Sequence, residues 1–158
     1  MNWQEVCEHP SLQNLPFKIE LNEYGHILMS PVKIYHSAFL GEIIYLLRSL
    51  LKTGKTLPEC AITTEKGVKV ADVAWLSLER FKRVKQEVAC SVAPEICIEV
   101  ISLSNSDKEL TEKRSLYFQQ GAQEFWTCNE MGYMVFYNEI GQLIQSLLVS
   151  NFPKQISL

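Results

Sequence analysis

Apolar residues along this chain recur in two rhythms. Between residues 35 and 53, YHSAFLGEIIYLLRSLLKT, Leu40, Ile43, Ile44, Leu47, Leu50 and Leu51 return at intervals of three and four. That spacing lays them on one face of an α-helix, and Gly54 supplies its stop. Elsewhere the rhythm is that of strands. Two are predicted in PFKIELNEYGHILMS (16–30) around a turn at Asn22–Gly25, one near 58–63, one at 67–76 beyond a turn at Glu65–Gly67, and one at 95–101. A polar, charged stretch from 78 to 88 separates the last two. A second helix is predicted over 106–120, where Ser106 and Glu109 have the S-x-x-E spacing of a capping box and Gly121 closes the element. QEFWTCNE and GYMVFYNE then predict two strands around a turn at Asn129–Gly132, with a further strand over 142–149. Helix, strands, then strand–helix–strand predict an α/β (α+β) fold with a central mixed sheet flanked by helices. The 158 residues suit one domain spanning 1–158 with a single core.

Three charged residues break these patterns. Asp72 interrupts VADVAWLS, and Glu99 interrupts PEICIEVIS. By strand alternation Asp72 shares a face with Val68, Val70, Ala74 and Leu76, and Glu99 shares one with Cys97 and Ile101. On a wheel for the second helix with Leu110 at 0°, Lys113 falls near about 300°, inside the apolar arc, while Lys108 falls on the far side. A carboxylate inside a strand needs a counter-charge or a metal, or its pKa climbs until it is neutral. Two inward acids and one inward lysine can hold a divalent cation beside a lysine that orients water. They can equally form a structural ion-pair cluster, with Lys113 answering Glu109 one turn earlier on its helix.

Composition narrows the classes. Hydrophobic residues make up 47% and charged residues 21% of the chain, as in an ordinary globular protein. The net charge of −3 argues against a protein that coats nucleic acid nonspecifically, although a local groove can still be basic. Five cysteines, at 7, 60, 90, 97 and 128, have neither disulfide-framework nor zinc spacing; Cys97 and Cys128 read as core residues. No apolar run is long enough to cross a bilayer, and the start, MNWQEVCEHP, lacks the pattern of a secretory signal. The expectation is a cytoplasmic protein with no membrane partner.

KVADVAWLS, APEICIEVISLSNS and ELTEKRSLYFQQGAQEFW, preceded by IELNEYGHILMSPVKIYHSAFLGEI, together resemble the Uma-type family of restriction endonucleases, within the PD-(D/E)XK nuclease superfamily. The resemblance runs from about residue 16 to about residue 138 and is specific in combination. It implies a restriction-endonuclease-like fold. Asp72 matches the first acid of the superfamily motif, preceded by Ala71 where the pattern has Pro, and Glu99 matches the second. Ile101 occupies the usual lysine position, and in Uma-like sequences the lysine moves to the following helix, which here is Lys113.

The resemblance further implies a hydrolase of DNA phosphodiester bonds that uses Mg²⁺ or Mn²⁺. Asp72, Glu99 and the backbone carbonyl of Val100 would hold the metal, and Lys113 would position water or stabilise charge. Members of the superfamily often act in pairs, so a homodimer is also implied. Four neighbours carry less weight. Glu20, where the family often has an acid, could equally be a turn-flanking residue. His36 faces the core side of the first helix, where packing or capping is the ordinary role. Ser102 could donate to phosphate but suits a turn, as does Ser104. Tyr117, one turn after Lys113, could support it or simply pack. Glu42 falls on the solvent side of the first helix. The alternative is a catalytically inactive nuclease-fold module that binds DNA or regulates; an enzyme acting on another phosphate ester would share the same metal logic.

Overall fold

A computed structural model describes residues 1–158. Helix α1 (Trp3–Glu8) opens the chain and a short 3-10 turn (Pro10–Leu12) follows. Strands β1 (Phe17–Leu21) and β2 (Ile27–Pro31) pair as an antiparallel hairpin of their own. Asn22 shapes its turn, its side-chain oxygen accepting from the Tyr24 and His26 amides. Helix α2 (Ile34–Leu50) comes next, then β3 (Lys55–Thr64), β4 (Gly67–Leu76), α3 (Leu78–Val84), β5 (Ile96–Val100), α4 (Asp107–Gln119), β6 (Glu124–Cys128), β7 (Met134–Tyr137) and β8 (Gln142–Leu143).

The six strands from β3 onward form one sheet in the order β3-β4-β5-β6-β7-β8. β5 and β6 run parallel, with α4 forming the crossover that a parallel pair requires, and every other pair is antiparallel. The result is a mixed α/β domain with a six-stranded mixed sheet flanked by helices. Phe39, Ile43 and Leu47 of α2 pack on one face with Val73, Ile98, Trp126 and Phe136. Tyr117 of α4 packs on the other with Ala74, Cys97 and Phe125.

Three local expectations need correction. The charged stretch from 78 contains helix α3, whose first turn is capped by Ser77 Oγ accepting from the Arg80 amide. Arg80 then donates to the carbonyls of Ala93 and Gly121, so this helix is held by polar bridges that no apolar period reveals. The expected strand over 142–149 ends at Leu143. Beyond it the chain wraps Glu124, whose buried carboxylate accepts from Ser146 Oγ and the Leu147 and Leu148 amides. Those bonds replace a strand ladder. Helix α4 does have Ser106 Oγ accepting from the Glu109 amide, but no Glu109–Lys113 pair forms, because Lys113 turns to other carboxylates.

One feature of the sheet prepares the site. β4 has ten residues, yet β5 pairs with it only at Val73–Ile98, Ala74–Cys97 and Trp75–Ile96. Past that point the two strands part. Exposed strand edges are unpaired donors and acceptors that a fold must cover. Here the β1–β2 hairpin covers the first half of β4, and Glu20 accepts the Val70 amide at 2.5 Å. Gly67, at φ +90°, permits the close approach: a Cβ there would lie 2.2 Å from the Leu21 carbonyl oxygen.

Candidate active site

Continuing the β4–β5 register by one step sets Asp72 opposite Glu99, at the place where the strands separate. Both side chains lean over the opened sheet on the α4 side, among residues that are otherwise apolar, and both are almost wholly buried. Asp72 spans the split: its Oδ2 accepts the Val100 amide at 2.8 Å, a donor that the parted ladder leaves without a strand partner. His36, from the first turn of α2, places Nε2 3.4 Å from the same oxygen.

Lys113 reaches the acids from α4. Its Nζ lies 3.1 Å from Glu99 Oε1 and 2.9 Å from Glu20 Oε2. Tyr117, one turn later and fully buried, donates its hydroxyl to Glu99 Oε1 at 3.0 Å. Asp72, Glu99, Lys113 and Glu20 therefore come together, with His36 and Tyr117 touching the two acids. All of these except the buried Tyr117 line an open cleft of about 320 Å³, whose walls also include Val100, Ser102 and Ser104. The two serines bond to each other at 2.6 Å, and the Ser102 amide donates to Asn105, so they form a turn that also faces the cleft. Glu42 is solvent-exposed on α2 and has no part in it.

Lys18 completes the arrangement and was missed by sequence reasoning. Its Nζ bridges the two acids, 3.0 Å from Asp72 Oδ1 and 3.3 Å from Glu99 Oε2. The alternation in FKIEL does place Lys18 and Glu20 on one strand face. Nothing local says that this face turns toward the sheet, since the contact is made across more than fifty residues.

The charges condition one another. Burial works to raise Asp72, but the His36 hydrogen bond, the Lys18 ammonium and the Val100 amide prevail and hold it well below the usual carboxylate range. Glu99 goes the other way: burial is the largest influence, the neighbouring Asp72 and Glu20 add to it, and despite Lys113 and Lys18 the carboxyl is raised to about 7. Burial would lower Lys18, but Glu99, Asp72 and Glu20 raise it, so it stays an ammonium. Glu20 is lowered; burial opposes this, and Lys113, Lys18 and the Val70 amide outweigh it. His36 is raised, chiefly by its hydrogen bond to Asp72.

No group of three His, Cys, Asp or Glu side chains is arranged to share one ion. The donor chemistry nevertheless fits a hard cation. Magnesium keeps several waters and is commonly held by only one or two carboxylates. Asp72 and Glu99 offer two facing carboxylates, and a cation, the Lys18 ammonium, already sits between them.

No curated protein matches this chain. Among solved structures it is similar to a protein from Anabaena variabilis ATCC 29413 described as a putative nuclease belonging to DUF820. That match has 20% identity and a TM-score of 0.69, and covers 87% of this chain and 79% of the other. At that identity the likeness speaks for the fold. The Uma2 family, described as "Putative restriction endonuclease", matches residues 3–158. That span takes in the hairpin, the parted strands and α4, and by it the chain belongs to the Uma2 family of restriction-endonuclease-like proteins.

Proposed function

We propose that the chain is a metal-dependent endonuclease that hydrolyses phosphodiester bonds in DNA, with Asp72, Glu99 and Lys113 as its catalytic residues. The observation that carries this reading is the convergence of two facing carboxylates and a helix lysine in the lining of an open cleft. Membership of a nuclease family supports the reaction class.

Asp72 and Glu99, with the carbonyl of Val100, would hold Mg²⁺ or Mn²⁺. Residues on a strand direct N–H and C=O to the same side, so the amide that Val100 gives Asp72 implies that its carbonyl faces the split too. Held there, the ion would supply polarisation of a phosphoryl oxygen and acidification of water. The other roles belong to the chain. Lys113 stands at the cleft wall as a proton-rich donor, able to orient the attacking water and to stabilise charge growing on the phosphate. Glu20 and Glu99 hold its ammonium in place. Tyr117 fixes the Glu99 carboxylate from behind, and His36 does the same for Asp72. Ser102 and Ser104 lie where a flanking phosphate would pass, and exposed Lys33 on the rim adds positive charge.

The test is incubation of the protein with supercoiled plasmid, and with single-stranded and branched DNA, in Mg²⁺ or Mn²⁺ against EDTA. Cleavage that needs the cation and disappears in Asp72→Ala and Glu99→Ala is the expected result. A second reading, a nuclease-fold module that binds DNA without cutting it, draws on two observations: Lys18 already answers both acids, and the usual lysine position holds Ile101. DNA binding without cleavage under every cation would favour that reading.

A further inference from the structure

Each of the two central acids uses its oxygens differently. Asp72 Oδ2 is engaged by the Val100 amide and by His36, and Glu99 Oε1 by Tyr117 and Lys113. The remaining oxygens, Asp72 Oδ1 and Glu99 Oε2, have Lys18 as their partner. Removing the Lys18 ammonium would thus free one oxygen on each acid, while the other oxygen of each stays anchored and keeps the pair aligned.

From this geometry we infer that Lys18 is the resident counter-ion of the site: it holds Asp72 and Glu99 together before a divalent cation arrives, and the cation must displace it to bind. The inference rests on the metal-dependent reading above. Two facing carboxylates in a buried split repel each other unless a positive charge lies between them. Lys18 supplies that charge from a strand outside the main sheet, on a flexible four-carbon stem that can swing away without moving the sheet. The charge count agrees. With Glu99 ionised and His36 neutral, Asp72, Glu99 and Glu20 face Lys18 and Lys113, three carboxylates against two ammoniums. With Lys18 withdrawn the balance is two negative charges, which a divalent ion neutralises. The ammonium released at the cleft would then face the incoming phosphate.

The inference has a signature opposite to that of a merely structural lysine. In calorimetric titration with MnCl₂, Lys18→Met should bind Mn²⁺ at least about tenfold more tightly than wild type, because no ammonium has to be expelled. The same variant without metal should melt below metal-free wild type and gain a larger rise in melting temperature on saturation with Mn²⁺. An independent reading uses the unaltered protein. Lysine acetylation with acetic anhydride, followed by mass spectrometry, should label Lys18 several-fold faster in Mg²⁺ than in EDTA, with exposed Lys52 as the constant reference. Unchanged or weaker Mn²⁺ affinity in Lys18→Met, or Lys18 labelling that does not rise with Mg²⁺, would overturn the inference. If wild type binds Mn²⁺ while these responses are missing, the role of Lys18 alone falls. If neither protein takes up Mn²⁺, the metal-dependent reading falls with it.

Discussion

Asp72 and Val100 are joined across a gap in the sheet: the Asp72 carboxylate accepts the Val100 amide at 2.8 Å, where β4 and β5 no longer pair. A side chain here does the work of a ladder bond. The acid proposed to hold the metal is therefore also a structural clasp, which ties the proposed function to stability at one residue.

Replacing Asp72 with alanine should accordingly cost about 3 kcal/mol of stability, the size of effect seen when one member of a buried charge pair is removed. Urea unfolding would measure it. Asp72→Asn, which keeps an oxygen for the Val100 amide, should lose much less stability but the same divalent-cation binding. Equal stability losses in the two variants would show that the clasp is unimportant.

Lys113→Met should separate chemistry from metal binding. It removes the ammonium between Glu20 and Glu99 but leaves both Asp72 and Glu99 in place. Mn²⁺ affinity should stay within a few-fold of wild type, while plasmid cleavage falls by about 10² or more, as when a single charge-stabilising donor is lost. Cleavage at wild-type rate would exclude Lys113 from the reaction.

The metal-free protein should lose stability as pH rises through neutrality. Burial raises Glu99 to about 7 from an ordinary 4.5, so between those values the native state holds a proton that the unfolded chain has released. Stability falls with pH wherever the native state binds more protons. His36, raised by its hydrogen bond to Asp72, adds a loss of the same sign above its ordinary 6.5. Asp72 and Glu20, both lowered, act in the opposite sense but only at acid pH. Melting temperature in EDTA should thus be higher at pH 5.5 than at pH 8, with a shallower slope in Glu99→Gln. A slope identical to wild type in that variant would remove Glu99 as the source.

Gly67→Ala should loosen the hairpin that brings Lys18 and Glu20 to the site. Its Cβ would meet the Leu21 carbonyl at 2.2 Å, and φ +90° is itself strained for alanine. The expected cost is about 1–3 kcal/mol, with faster amide exchange in β1 and β2 than in the sheet. Uniform exchange changes across the protein would argue against a local effect.

Much of this was legible from the residues in order. The three-and-four spacing in α2, the capping serine of α4 and the turns at Asn22–Gly25 and Glu65–Gly67 are local signals, and each appears where its residues predict it. Asp72, Glu99 and Lys113 stood out for one physical reason: a charge in an apolar run must have a partner somewhere. Helix α3 did not stand out, because Phe81 and Val84 are the residues it packs on the core and Arg80 ties it to distant carbonyls. The end of β8 was misread because Glu124, a residue of another strand, gathers the following amides.

The sequence by itself determined which groups cannot be left alone: two strand carboxylates and a helix ammonium whose burial demands compensation. Only the tertiary structure decided who compensates them. Lys113 chose Glu20 and Glu99 over its helix neighbour Glu109, and Lys18 came in from a separate hairpin to bridge the acids. Those choices depend on where β4 and β5 part and which surface covers the opening, relations between segments far apart in the chain that no local spacing encodes.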